Sequence, residues 1–416
     1  MATIWCISAP LFSHTDWGGF LKTARALQAR GHDVRWVSGE AIRGAVERAG
    51  VPFLAVERTG WLWPPPPAPD VSTLKPQEAV MLRYRRALDT WLSEDLVGGA
   101  VEDLVALAAR EGKPDLILTD PFLSAAALAA EKLAVRLVVC GWLAQRELRD
   151  DFLFPVQKSL GSESRERIDR LCARFDLQGR YFSPGPTPSI TSPDLHLCYF
   201  TRGWYAADED AILSQTRFVG GVPPAPKGDP PAWLADIPPD APIALVTLGT
   251  TFTGDLGFYS WAAQAAARVG YVPVVVIGFH PFTGEEKTKL KAALPRTTRL
   301  LNFAPFDHLL PRTRLIFHHG GMGTTHAALL HGIPQIVVPH AADQRGQARR
   351  VAQAKVGLNL TAHDVRQGML LTAAKALRDD AAVAANCRAL AAGMAALGGA
   401  QAAADAVERL IASRIS

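Results

Sequence analysis

A chain of 416 residues is longer than one ordinary domain and points to two cores. Hydrophobic residues make up 48% and charged residues 20%, which excludes a mostly disordered, collagenous or coiled-coil chain. The 44 basic and 40 acidic residues leave a net charge of +4, too mild for nucleic acid as the main partner.

Residues 4–8 read as a first buried strand rather than an export signal, residues 20–30 as a helix stopped by Gly31, and residues 33–37 as the next strand. The run WLWPPPPAP at 61–69 must be a loop, because consecutive prolines remove amide donors and fix φ. A strand over 115–119 (DLILT), a helix over 125–132 and a strand over 136–140 continue the β-α rhythm of a parallel, helix-covered sheet. Residues 122–143 are the most apolar long stretch, yet Glu131, Lys132 and Arg136 break it, so it fails as a membrane span of roughly 20 residues. A soluble protein is expected, with peripheral membrane contact still compatible. The cysteines Cys6, Cys140, Cys172, Cys198 and Cys387 lie far apart without a CxxC pair, which predicts no disulfide framework, no structural zinc and a cytoplasmic setting.

Eight prolines within 222–242 mark an interdomain linker. The pattern then restarts, with strands over 243–248, 272–277, 315–317 and 335–338 and helices over 261–269 and 324–331. The alanine-rich tail, 373–411, offers closing helices.

Two segments carry the chemistry. FHHGGMGTTHAA, residues 317–328, places His-His-Gly-Gly-x-Gly-Thr-Thr between a strand and a helix. Glycines let amides approach an anion, a helix start offers free N–H groups, and Thr324 and Thr325 add hydroxyls, a set that suits a diphosphate. A tight turn with N-capping threonines accounts for the glycines equally well; the paired histidines favour the anion. VPHAADQRGQ, residues 338–347, delivers Asp343 and Gln344 to the carboxyl edge of the sheet, where open α/β folds bind ligands. A carboxylate beside a carboxamide suits vicinal sugar hydroxyls, and a helix N-cap at Asp343 is the plainer alternative.

The run 301–351 resembles the nucleotide-sugar signature of family 1 glycosyltransferases, particularly bacterial macrolide, sterol and carotenoid types. The resemblance implies the GT-B fold, two Rossmann-like α/β domains facing each other across a cleft. An acceptor-binding domain would span 1–221, a linker 222–242, a donor-binding domain 243–400 and a closing helix 401–416. It implies an inverting, metal-independent transfer of a hexose from a UDP- or dTDP-sugar to a hydroxyl of a lipophilic small molecule, with no cofactor beyond the nucleotide-sugar co-substrate. By the same resemblance His319, the amides around Gly321, Met322 and Gly323, and the Thr324 hydroxyl hold the diphosphate, and Asp343 with Gln344 holds the sugar. Phe303 and Ala304 border the pyrimidine, while Gly249, Thr250 and Thr251 face the phosphates and the reacting centre. The chain departs from the plant pattern at Ala327 (glutamate in many members), Phe306 (glutamine) and Gln347 (asparagine), which leaves the ribose contacts and the choice between UDP and dTDP open.

An inverting transfer needs a general base at the acceptor hydroxyl. Counting forward from the first strand, PLFSH at 10–14 puts His14 on the family's catalytic histidine. Counting back from TARAL at 23–27 lands on Asp16, as in sterol-type members. His14 is preferred, because imidazole titrates near ~6.5 and both accepts and releases a proton around neutrality. Asp120 is its expected carboxylate partner; a helix-initiating Asp-Pro turn is the alternative. His32 reads as a helix C-terminal cation. Asp208-Glu209-Asp210 matches the DxD pattern of metal-dependent glycosyltransferases but reads as a solvated acidic run. Trp5, Trp17, Trp61, Trp63 and Trp142 lie in the acceptor half, where aromatic rings suit flat or hydrophobic ligands, although core packing explains many of them equally. A nucleotide-sugar epimerase, a cell-envelope lipid glycosyltransferase and a non-catalytic auxiliary protein are the competing readings. The acceptor, the sugar and the oligomeric state stay open.

Overall fold

Short runs of β-branched and leucine side chains form central strands that are buried on both faces, as a parallel sheet under helices demands. The computed structural model describes every residue except 16–17, 64–72, 146–157, 186–187, 251–254, 279–281, 341–342 and 414–416. The chain divides into two units, Met1–Gly221 with Leu397–Ser416, and Val222–Ala396.

The first unit holds β1 (Thr3–Ile7), β2 (Asp33–Ser38), β3 (Phe53–Ala55), β4 (Leu116–Thr119), β5 (Arg136–Cys140), β6 (Leu195–Cys198) and β7 (Thr216–Phe218). They form one parallel sheet in the order β3-β2-β1-β4-β5-β6-β7. Its helices include α1 (Phe12–Thr15), α2 (Phe20–Ala29), α3 (Pro76–Leu92), α4 (Glu94–Glu111), α5 (Ser124–Lys132) and α6 (Gly161–Phe175). Gly31 takes φ 88 just past α2, the left-handed stop that glycine adopts without strain. The apolar stretch 122–143 is core: residues 124–130 of α5 are all buried. Trp5 is also fully enclosed in that core, which removes it from any acceptor surface. Trp61 packs half-buried against the same cluster, Trp63 is exposed, and Trp17 lies outside the described residues.

The second unit holds β8 (Ile243–Thr247), β9 (Val272–Val276), β10 (Arg299–Leu301), β11 (Thr313–His318), β12 (Gln335–Val337) and β13 (Gly357–Asn359). The order β10-β9-β8-β11-β12-β13 is parallel throughout. Around it lie α7 (Leu256–Arg268), α8 (Met322–Leu330), α9 (Gln344–Gln353), α10 (Met369–Arg378) and α11 (Ala381–Ala396). The tail then returns to the first unit as α12 (Gly399–Ala412), which buries Ala403, Ala404, Ala406 and Val407 in that unit's core. Arg30 holds it through Asp405 at 2.6 Å and Glu408 at 2.7 Å. His32 joins this clasp, accepting the Ala2 N–H at Nδ1 (3.3 Å) with Nε2 3.2 Å from Glu408. The run Ala381–Ala412 has the length and mean hydropathy (1.3) of a membrane span, but Gly398 at φ 89 divides it into α11 and α12.

Candidate active site

In the second sheet the strand order reverses between β8 and β11, so their outgoing loops leave side by side at the carboxyl edge, the place where such sheets bind ligands. Thr247 pairs with His318 at the last step of the ladder, which sets Leu248-Gly249 beside His319-Gly320-Gly321. The His319 ring is wedged between two glycines. A Cβ on Gly249, which sits at φ 72, would lie 2.8 Å from His319 Cε1, and one on Gly321 would collide with Nε2. His319 is 7% exposed, and its Nδ1 has no hydrogen-bond partner among the described residues. Burial, reinforced by the neighbouring His318 and His340, pushes its pKa well below the ordinary histidine value. The ring is therefore neutral near pH 7 and has one N–H to donate.

Gly321 is the N-cap of the nine-residue α8, and no side chain caps that end. The first internal bond runs from the Thr325 N–H to the Gly321 carbonyl (3.0 Å), which leaves the amides of Met322, Gly323 and Thr324 outside the helical ladder. Thr324 and Thr325 lie inside the helix, so the alternative of N-capping threonines is corrected. Gly323 is exposed, and Thr324 is 9% exposed. Gly320, at φ 88, is where this loop meets the next: a Cβ there would lie 2.9 Å from the Gln344 carbonyl oxygen and 2.8 Å from Val337 Cγ1.

Asp343 precedes α9 in the N-cap position with φ −71 and ψ −9, and it makes no side-chain cap bond, so the plainer reading of that residue is not the one adopted. Gln344 is buried, and its Oε1 accepts the His340 N–H at 2.8 Å, which fixes the carboxamide. No sequence motif marks His340 as part of the site. Its Nδ1 lies 2.7 Å from the Val338 carbonyl and its Nε2 3.4 Å from Asp255 Oδ2. The other Asp255 oxygen caps α7 by accepting the Phe258 N–H (2.9 Å), and the His340 contact is the main cause holding the Asp255 carboxyl below its usual range. The only sequence signal for this clasp was an aspartate ahead of an apolar helix. Phe303, in the loop after β10, is 59% exposed while Ala304 is buried. Thr250 is exposed, and Thr251 falls outside the described residues.

The first sheet reverses between β1 and β4, where Ile7 pairs with Thr119. Asp120, the next residue, is fully buried. Its Oδ2 accepts the Ala9 N–H at 2.9 Å and its Oδ1 the Phe122 N–H at 2.8 Å. The second bond is the Asp-Pro turn of the sequence alternative; the first ties that turn to the loop leading into α1 and His14. The His14 side chain and the whole of Asp16 lie outside the described residues. Phe12 of α1 is 60% exposed, and the rings of Phe122 and Trp142 meet edge-on at 6.0 Å.

Asp208 corrects the expectation of a solvated acidic run: it is fully buried in a 3₁₀ segment, Arg202–Ala211, and only Glu209 and Asp210 face solvent. Glu209 pairs with Arg202. Among the described residues no group of three or more His, Cys, Asp or Glu is set to hold a metal ion. All five cysteines are buried free thiols.

The profile of the family "Erythromycin biosynthesis protein CIII-like, C-terminal domain" matches residues 269–410. The chain is similar to the aklavinone 7-beta-L-rhodosaminyltransferase of Streptomyces galilaeus, 28% identical over 396 residues, covering 83% of this chain and 82% of the relative. Among solved structures, the glycotransferase of kitacinnamycin superposes with a TM-score of 0.75 at 24% identity, covering 98% of both chains. The glycosyltransferase SsfS6 of Streptomyces sp. SF2575, complexed with thymidine diphosphate, superposes with a TM-score of 0.67 at 21% identity, covering 98% of this chain and 100% of its own.

Proposed function

We propose that this chain is a family 1 glycosyltransferase of the GT-B fold and moves a hexose from a thymidine-diphosphate sugar to a hydroxyl of a lipophilic small molecule, with inversion at the anomeric carbon. One observation carries the reading: His319, wedged between Gly249 and Gly321, stands directly before a helix whose first amides have no side-chain cap. Such a cluster of N–H donors suits two linked phosphates. The thymidine diphosphate held by SsfS6 favours thymine over uracil as the base, and exposed Phe303 offers that base a face.

In this reading His14 takes the proton of the acceptor hydroxyl as its oxygen bonds to the anomeric carbon. The bond from that carbon to the diphosphate breaks, and the leaving charge spreads over the loop amides and the His319 N–H. Asp120 orients His14 and balances the imidazolium. Asp343 and Gln344 hold the sugar hydroxyls. The acceptor belongs to the first unit, where Phe12, Phe122 and Trp142 supply aromatic surface. Charge neutralisation by N–H donors makes a divalent ion unnecessary, and free thiols throughout agree with a cytoplasmic setting.

Calorimetry and thermal shift with thymidine diphosphate and with UDP test the donor site, because a ligand of the native state raises stability with the logarithm of concentration over Kd. Thymidine diphosphate is expected to shift Tm more than UDP, and transfer is expected to persist in EDTA. Absence of a shift with either nucleotide overturns the reading.

A further inference from the structure

We propose that His318, which neither faces the diphosphate site nor belongs to its donor set, is a positioning residue that fixes the glycine loop against the start of α9. The proposal rests on the donor-site reading above. His318 ends β11 and is fully buried. Its Nδ1 accepts the Gly320 N–H at 3.1 Å, and its Nε2 lies 3.0 Å from Gln335 Oε1. An accepting Nδ1 requires the ring proton on Nε2, which then donates to the carboxamide oxygen. Gln335 opens β12, the neighbouring strand, and its register partner in β11 is Ile316. The imidazole thus ties a turn amide to the adjacent strand. Burial lowers the His318 pKa to about 4, so this pattern of one donor and one acceptor holds throughout the neutral range.

Two consequences follow for the donor site. The Gly320 amide is committed inward, which leaves the amides from Gly321 onward to define the cradle. Gly320 at φ 88 also leaves no room for a Cβ, which would lie 2.9 Å from the Gln344 carbonyl oxygen and 2.8 Å from Val337 Cγ1. Its placement therefore sets the offset between the diphosphate amides and the Asp343–Gln344 pair, and a misplacement of about 1 Å in such a constellation costs on the order of 100-fold in rate.

The test compares His318→Asn with His318→Leu. Asparagine places Oδ1 where Nδ1 was and keeps the acceptor; leucine fills the volume without one. The readouts are Kd for thymidine diphosphate, and kcat and KM for a thymidine-diphosphate hexose with a dihydroxyanthraquinone acceptor. His318→Leu is expected to lose about 100-fold in kcat with a smaller change in diphosphate Kd, and His318→Asn to recover to within about fivefold of wild type. Leucine matching or exceeding asparagine reduces His318 to packing and overturns the proposal. A second readout needs no variant: ring ¹⁵N shifts of the full-length protein should show Nε2 protonated and Nδ1 bare from pH 6 to 8, and the opposite tautomer also overturns it. If wild type binds neither thymidine diphosphate nor UDP, the donor-site reading fails and the loop geometry has no donor to position; if it binds and leucine performs as well as asparagine, only His318 loses its role.

Discussion

In the first unit the residue that follows the fourth strand is Asp120; in the second, at the same step of the strand order, it is His319. Both lie at the reversal of a parallel sheet, and both are almost wholly buried. Asp120 sets its carboxyl oxygens against the amides of Ala9 and Phe122, which offsets the cost of burying a polar group. His319 meets the same demand by staying neutral, packed on glycine backbone with Nδ1 unpartnered among the described residues. One topology therefore supports a centre tightened by its own backbone and a centre with hydrogen-bonding capacity left for a ligand. The fold supplies the address, and the side chain decides the chemistry.

Acid should separate the two units most strongly. His196 in the first unit and His318 in the second are both lowered by burial to about 4, and His319 is held well below its ordinary value by the same cause. An unfolded chain takes up those protons near pH 6.5, so stability is full above that pH and falls as pH drops toward 4. The loss is on the order of 3 kcal/mol for each of His196 and His318, and His319 adds to it in the same direction. With two of the three, the second unit should lose hydrogen-exchange protection first on acidification. Equal loss in both units would break the comparison.

Asp120→Ala should lower kcat by about 1000-fold, the scale of general acid–base assistance. It should also lower Tm, since each stranded buried amide costs about 1–3 kcal/mol. Thymidine diphosphate affinity should stay unchanged in calorimetry; a parallel loss of nucleotide binding would show that the two centres are not separable. Gly320→Ala acts on the other side. Its Cβ would press on the Gln344 carbonyl in a left-handed backbone, and nucleotide affinity should fall roughly 100-fold while hydrogen exchange around Asp120 stays as it was. The smallest effect is expected from Phe303→Ala, about fivefold in nucleotide Kd from lost stacking, with Tm unmoved because the ring is exposed.

Strands around the motifs were legible because they are short apolar runs between glycine, proline and polar residues, and the predicted 136–140 strand is observed unchanged as β5. Three-residue edge strands such as β3, β7 and β10 escaped, since so few residues carry no period. The long helices α3 and α4 also went unread beside the proline loop. His319, Gly321 and Gly323 were visible as a motif because an anion loop is built from consecutive residues. His340 with Asp255 was not visible, because its members are 85 residues apart.

By itself the sequence determined the local events: where the chain extends, where it coils, and which turn exposes amides ahead of a helix. These depend on neighbours within a few positions, through side-chain period, glycine φ and proline geometry. Only the tertiary structure decided that Gly249 walls in His319, that Gly320 seats on Gln344, that Asp120 gathers Ala9, that Trp5 and Asp208 turn inward, and that the last helix returns to the first unit. Parallel strands meet through crossovers, so each of these contacts joins segments distant along the chain. Their selection is a matter of packing the whole sheet rather than of any local preference.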